Sequence, residues 1–118
     1  PYKLGEMEQR FADLIWQREP VSSGELVRLC EVKLNWKKST TYTMLKRLCD
    51  RKVFENKKGT VAALITREDF LAMQGEQFLT ETFDGSLPQF IAAFTRRNRL
   101  SDKEIVEIQR LIDEYREG

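Results

Sequence analysis

The sequence predicts a mainly α-helical chain with one small β-hairpin, and three observations carry that prediction. Apolar residues recur at three and four positions through most of the 118 residues, the spacing that gives a helix one buried face. Two short β-prone runs, Val53 to Lys57 and Val61 to Ile65, flank Lys58-Gly59-Thr60, where Gly59 supplies the positive φ of a tight turn. Basic charge is concentrated: Lys33 to Lys58 holds nine Lys or Arg against Asp50 and Glu55, an excess of +7, while Arg67 to Thr95 sums to −4 and the whole chain to +1. The expected arrangement is one domain over 1–66, holding the basic tract and the hairpin, and a helical region over 67–118.

Each element has its own signal. Glu6 to Trp16 places Met7, Phe11, Leu14 and Ile15 on one side of an amphipathic helix. Ser22-Ser23-Gly24-Glu25 fits a capping box and opens a short second helix with Leu26, Val27 and Leu29 or Cys30 inward. Val32 to Trp36 reads as a turn, with Trp36 placed to plug the corner before a third helix. In that helix Thr41, Leu45 and Leu48 face inward, with Met44 and Cys49 at the margins. The opposite face carries Ser39, Thr43 and Lys46, flanked by Tyr42 and Arg47. Two helices, a turn and a third helix with a polar outer face make a helix-turn-helix, and the hairpin after it is a wing.

A helix anchored on its back, with a hydrogen-bonding and cationic front, is suited to reading the major groove of double-stranded DNA. Lys57 and Lys58 at the wing tip reach phosphates beside that groove. A Lys-Lys-Gly turn taken alone is an ordinary solvated hairpin tip, and its place after a basic three-helix unit is what gives it a role.

Downstream, Thr66 caps a fourth helix that runs to about Phe83, with Phe70, Met73, Gln77, Phe78 and Glu81 spread around it. Asp84-Gly85-Ser86 breaks it, and Leu87-Pro88 permits a new start. Leu87, Phe90, Ile91 and Phe94 stripe a fifth helix. Ser101-Asp102-Lys103-Glu104 is a second capping box, opening a sixth with Ile105, Ile108, Leu111, Ile112 and Tyr115 on one face. These stripes, with Phe78 and Phe83, carry more apolar surface than a small three-helix unit covers, so a C-terminal helical dimerisation region is expected. A symmetric homodimer also suits a two-fold DNA site.

The remaining composition is informative mainly by exclusion. No run is long or apolar enough to span a bilayer and no signal-peptide pattern is present, so a cytoplasmic protein without direct membrane binding is expected. There is no His, and Cys30 and Cys49 lack partners at metal-ligand spacing, so no metal site is assigned. Both cysteines read as small buried residues, and a disulfide between them is disfavoured in a reducing compartment. No nucleophile-base pair, Gly-rich phosphate loop or paired carboxylates point to catalysis; Glu104 and Glu107 read as capping and solvation. No catalytic residue and no cofactor are assigned.

The order Glu8 to Trp16, Ser23-Gly24-Glu25-Leu26, Trp36, then Thr40-Thr41-Tyr42-Thr43-Met44-Leu45-Lys46-Arg47-Leu48 resembles the penicillinase-repressor (BlaI/MecI) family of bacterial winged-helix repressors. Phe83-Asp84-Gly85-Ser86-Leu87 and the run from Phe94 to Ile105 are similar to that family's dimerisation region. The resemblance implies a dimeric repressor of a palindromic operator, released through a membrane sensor system with protease activity. It implies a recognition helix over Lys38 to Lys52, with Lys38, Ser39, Thr40, Tyr42, Thr43, Lys46 and Arg47 facing DNA. The position matching the family's cleavable Asn-Phe pair is Ala93-Phe94 here, so regulation by that cut is not implied. The cysteine cluster of the copper-responsive branch is absent, and the second wing strand lacks the usual aromatics. The competing reading is a winged-helix adaptor that turns the third helix toward a protein partner.

Overall fold

The first helix, α1 (Glu6–Arg18), starts with Glu6 and Glu8 in its first turn, where carboxylates complement the helix dipole. It runs two residues past the expected end at Trp16, and the Glu19 amide closes it on the Ile15 carbonyl. The computed structural model describes residues 3–118, with six helices and three strands among them. α2 (Ser23–Leu34) is N-capped by Ser22, whose hydroxyl accepts from the Glu25 amide at 3.1 Å. Only this forward half of the expected capping box forms. Ser22 also lies in a strand with Thr60 as its register partner.

α2 also continues through Val32 to Leu34, which were expected in the turn. The turn begins at Asn35, in the left-handed region at φ 56, a conformation that asparagine tolerates. α3 (Lys38–Asp50) follows, ending two residues before Lys52. Lys52 sits at φ 64; its amide bonds the Cys49 carbonyl and that of Val53 bonds Leu48, a Schellman closure with lysine where glycine is usual.

The hairpin forms from β2 (Phe54–Lys57) and β3 (Thr60–Ala63), each shorter than expected. Lys57 pairs with Thr60, so the loop is Lys58-Gly59 alone. Both residues have positive φ, 52 and 87, as a type I′ turn requires. A third strand, β1 (Val21–Ser22), was not expected: it pairs antiparallel with β3, giving the order β1-β3-β2. Two residues are too few to carry a period, so the sequence has no signal for it.

α1, α2, α3 and the sheet enclose one core. Phe11, Ile15, Leu26, Leu48, Val53 and Phe54 are fully buried, and each large apolar side chain removed from water contributes about 1.5–3 kcal/mol. Trp36 plugs the corner between α2 and α3 as expected, its ring 5.2 Å from that of Phe11. Trp16 stacks on Phe54 and Phe70 and donates its indole N–H to the Ile65 carbonyl at 3.0 Å.

α4 (Arg67–Phe83) is capped by Thr66, which accepts from the Asp69 amide. Its Phe70 belongs to the same core. Two compact units result, one up to Gln77 and one from Phe78 to Gly118. The expected division lay at 66/67. In the second unit α5 (Leu87–Thr95) is capped by Ser86 with Pro88 in its first turn, and α6 (Asp102–Glu117) opens on the full capping box of Ser101 and Glu104. Phe83 and Phe90 pack edge-to-face at 5.5 Å with Phe78 beside them.

Candidate nucleic-acid interface

α3 is held from behind. Thr41, Leu45 and Leu48 are buried at three- and four-residue spacing, while Lys38, Ser39, Thr40, Tyr42, Thr43, Lys46 and Arg47 are all exposed. At 100° per residue, Ser39, Thr40, Thr43, Lys46 and Arg47 fall within about 60° of Thr43, and Tyr42 lies on one flank. Lys38 lies about 140° from Thr43, off the outward face, and is exposed only because it opens the helix; its ammonium stands 6.0 Å from the centre of the Tyr42 ring.

The exposed side chains are partly committed within the helix. The Thr43 hydroxyl donates to the Ser39 carbonyl at 2.9 Å and keeps its lone pairs for an incoming donor. Lys46 donates to Asp50 at 3.1 Å, and Arg47 reaches the Met44 sulfur at 3.8 Å. On the wing, Lys57 and Lys58 are both exposed, and Lys57 lies 3.7 Å from Glu55. A lysine at φ 52 costs the backbone about 1 kcal/mol relative to glycine.

Three elements meet at one edge of this surface. Tyr42 donates its phenol to Ser23 Oγ at 3.4 Å, and the Ser23 amide donates to the Gly59 carbonyl at 2.8 Å. α3, the start of α2 and the wing tip are thereby joined. Ser23 and Gly59 were read from sequence only as helix opening and turn, because nothing in a local pattern reports contacts between residues so far apart along the chain. Asp50 was read only as one of the two acids offsetting the basic tract. As the last residue of α3 it falls about 20° from Thr43, on the outward side at the C-terminal end of the helix.

Behind α3 the chemistry is inert. Burial raises the Cys30 thiol, with a weak interaction from Thr41 offsetting part of the rise; the buried Thr41 hydroxyl has no well-formed hydrogen bond. Burial likewise raises Cys49, helped by the charges of Asp50 and Glu55. Both are free thiols, not thiolates, at neutral pH. Among the described residues no group of three His, Cys, Asp or Glu is placed to hold a metal ion, and no helix is long and apolar enough to cross a membrane.

A three-helix unit with a three-stranded wing and an outward polar helix defines the winged-helix class of helix-turn-helix proteins. The family model described as penicillinase repressor matches residues 4–114. The chain belongs to the penicillinase repressor family. It is 23% identical over 118 residues to the penicillinase repressor of Bacillus licheniformis, covering 97% of this chain and 92% of that one. It is 20% identical over 116 residues to the methicillin resistance regulatory protein MecI of Staphylococcus aureus, covering 95% and 94%. Family membership supports a transcriptional repressor role and makes the chain a regulator of transcription, not an enzyme.

Proposed function

We propose that the chain is a dimeric repressor that occupies a palindromic duplex operator through one α3 per copy and leaves it on an upstream, antibiotic-related signal. The observation that carries this reading is the outward face of α3: exposed, hydrogen-bonding and cationic, on a helix whose back is locked into the core. Thr43, Ser39 and Lys46 are placed for base edges, each good contact contributing about 1–3 kcal/mol of discrimination. Arg47, Tyr42, Lys57 and Lys58 hold the phosphates and supply the salt-dependent part of the affinity. Repression follows from occupying promoter DNA.

Dimerisation is assigned to the second unit. Phe78, Leu87, Ile91 and Phe94 are exposed, as are Ile105, Leu111, Ile112 and Tyr115 on α6, while Phe83, Phe90 and Ile108 are half-buried. A second copy covers these stripes, and linking two readers makes the second half-site contact effectively intramolecular. The family resemblance makes a membrane sensor system with protease activity the candidate source of the upstream signal, acting otherwise than by a cut at an Asn-Phe pair, since Ala93-Phe94 stands there. The names of the two relatives, a penicillinase repressor and a methicillin resistance regulatory protein, support the antibiotic connection.

The test is selection of bound sequences from random duplex DNA at two salt concentrations, with sedimentation mass. A two-fold symmetric site bound by a dimer, with affinity falling steeply as salt rises, is expected. Lys46→Glu with Arg47→Glu then weakens binding at least about a hundredfold, or ~2.7 kcal/mol, while the dimer persists. No enriched sequence and a shallow salt slope overturn the reading in favour of a protein-binding adaptor.

A further inference from the structure

The basic tract from Lys33 to Lys58 contains two acids, and each holds a lysine of the interface: Asp50 holds Lys46 at 3.1 Å and Glu55 holds Lys57 at 3.7 Å. Asp50 is the more informative of the two. It stands on the reading face itself, in line with Ser39, Thr43 and Lys46, where a carboxylate repels the phosphates of any duplex that approaches. The pair is also open to water, with the two side chains 78% and 66% exposed, so it adds little to the fold. An exposed acid at the C-terminal end of a cationic reading face has no packing role to account for it.

We infer that Asp50 is a specificity-setting positioning residue that acts through Lys46. This rests on the DNA-reading assignment of α3 made above. A lysine is a flexible point charge that reaches phosphate on any sequence as readily as a base edge. Bonded to Asp50 one turn along the helix, the Lys46 ammonium is kept on the reading face instead of swinging out to the backbone. On a wrong sequence the phosphate must compete with a carboxylate already in place. On the right sequence the ammonium meets base acceptors without leaving that face. Asp50 therefore lowers non-specific affinity more than specific affinity, and the ratio of the two is what locates an operator among competing sites.

The experiment is a double-mutant cycle on the full chain: wild type, Asp50→Asn, Lys46→Met and the double variant, each titrated with a duplex selected by the wild type and with a scrambled duplex across 50–200 mM salt. Asp50→Asn frees one cation, so the salt slope on scrambled duplex steepens by about 0.9 per copy engaged, which is about a threefold difference across that range. Affinity for scrambled duplex rises by at least that factor at 50 mM, the selected duplex gains less, and the specificity ratio narrows. In the Lys46→Met background Asp50→Asn changes the ratio little, and with Lys46 present Asp50→Glu keeps most of it. Equal gains on both duplexes, or an effect that persists without Lys46, overturn the inference, because the acid then acts only through net charge. No change on either duplex overturns it as well. Failure of the wild type to bind any duplex overturns the DNA-reading assignment and this inference together, and so is distinguished from failure of the inference alone.

Discussion

The two units of this chain solve burial in opposite ways. The unit up to Gln77 encloses Phe11, Phe54 and Phe70 completely, so its helices have a shared interior and its outward faces are free for polar work. The unit from Phe78 onward has no fully buried residue among the described ones; its phenylalanines touch each other edge-to-face but stay open to water, and Leu111 is 54% exposed. The first encloses its own core. The second leaves the apolar stripes of α5 and α6 exposed, and these are the surface that the proposed second copy covers.

The largest expected effect tests the completeness of the first unit. Phe54→Ala removes a fully buried ring in contact with Trp16 and lowers stability by about 3–5 kcal/mol in denaturant unfolding, independent of protein concentration. The same truncation at the exposed Phe94 costs an isolated copy far less, and its effect grows with concentration if a second copy covers it. A loss at Phe94 as large and as concentration-independent as that at Phe54 removes the contrast.

Next is the proposed interface. Ile108→Asp, or Phe90→Asp, converts dimers to monomers by sedimentation while the near-ultraviolet signal of Trp16 and Trp36 in the first unit is kept. A dimer that survives both substitutions places the interface elsewhere.

Smaller again is the wing. Lys58→Asn relieves part of the roughly 1 kcal/mol cost of a left-handed lysine in a type I′ turn and raises stability by less than about 1 kcal/mol, yet removes the proposed phosphate contact and flattens the salt slope by about 0.9 per copy. Stability and DNA affinity moving in opposite directions is the outcome that separates the wing's function from its fold.

The smallest effect is local to α6. The amide and hydroxyl of Ser101 donate to Glu104 at 3.0 and 3.1 Å, and these bonds hold the carboxyl below its ordinary value. A depressed folded value means that the stabilisation is present above the unfolded value and is lost as pH falls through the folded one. Carboxyl titration by NMR should therefore give Glu104 a midpoint below that of glutamate in an unstructured peptide, with fraying at the start of α6 as it protonates. A midpoint at or above the peptide value discards the box.

Periodicity made the helices legible. Thr41, Leu45 and Leu48 are buried as their spacing predicts, and the caps at Ser22, Thr66 and Ser101 form as their residue types predict, while Ser86, read only as part of the break before α5, also caps it. Helix ends were less legible, because Leu34 and Asp50 stop where backbone and packing allow, with Asn35 and Lys52 left-handed beyond them. β1 escaped because two residues have no pattern, and Phe70 escaped because its partners, Trp16 above all, are distant in sequence. Of the candidate interface, Ser39, Tyr42, Thr43, Lys46, Arg47 and the wing lysines were legible from charge and spacing, while Lys38 and Thr40 came only from the family resemblance. Asp50, four residues after Lys46, was equally legible from spacing but was passed over. Ser23 and Gly59 were not legible, since their part in it depends on what stands opposite them.

By itself, then, the sequence determined which segments are helical, where the hairpin turns and which helix has a polar front, because caps, turn residues and apolar spacing act over a few neighbours. Tertiary structure alone decided that β1 joins the wing, that Phe70 completes the first core and that Ser23 ties Tyr42 to the wing tip. Those depend on residues brought together from across the chain, whose burial and hydrogen bonds exist only once the chain has closed on itself.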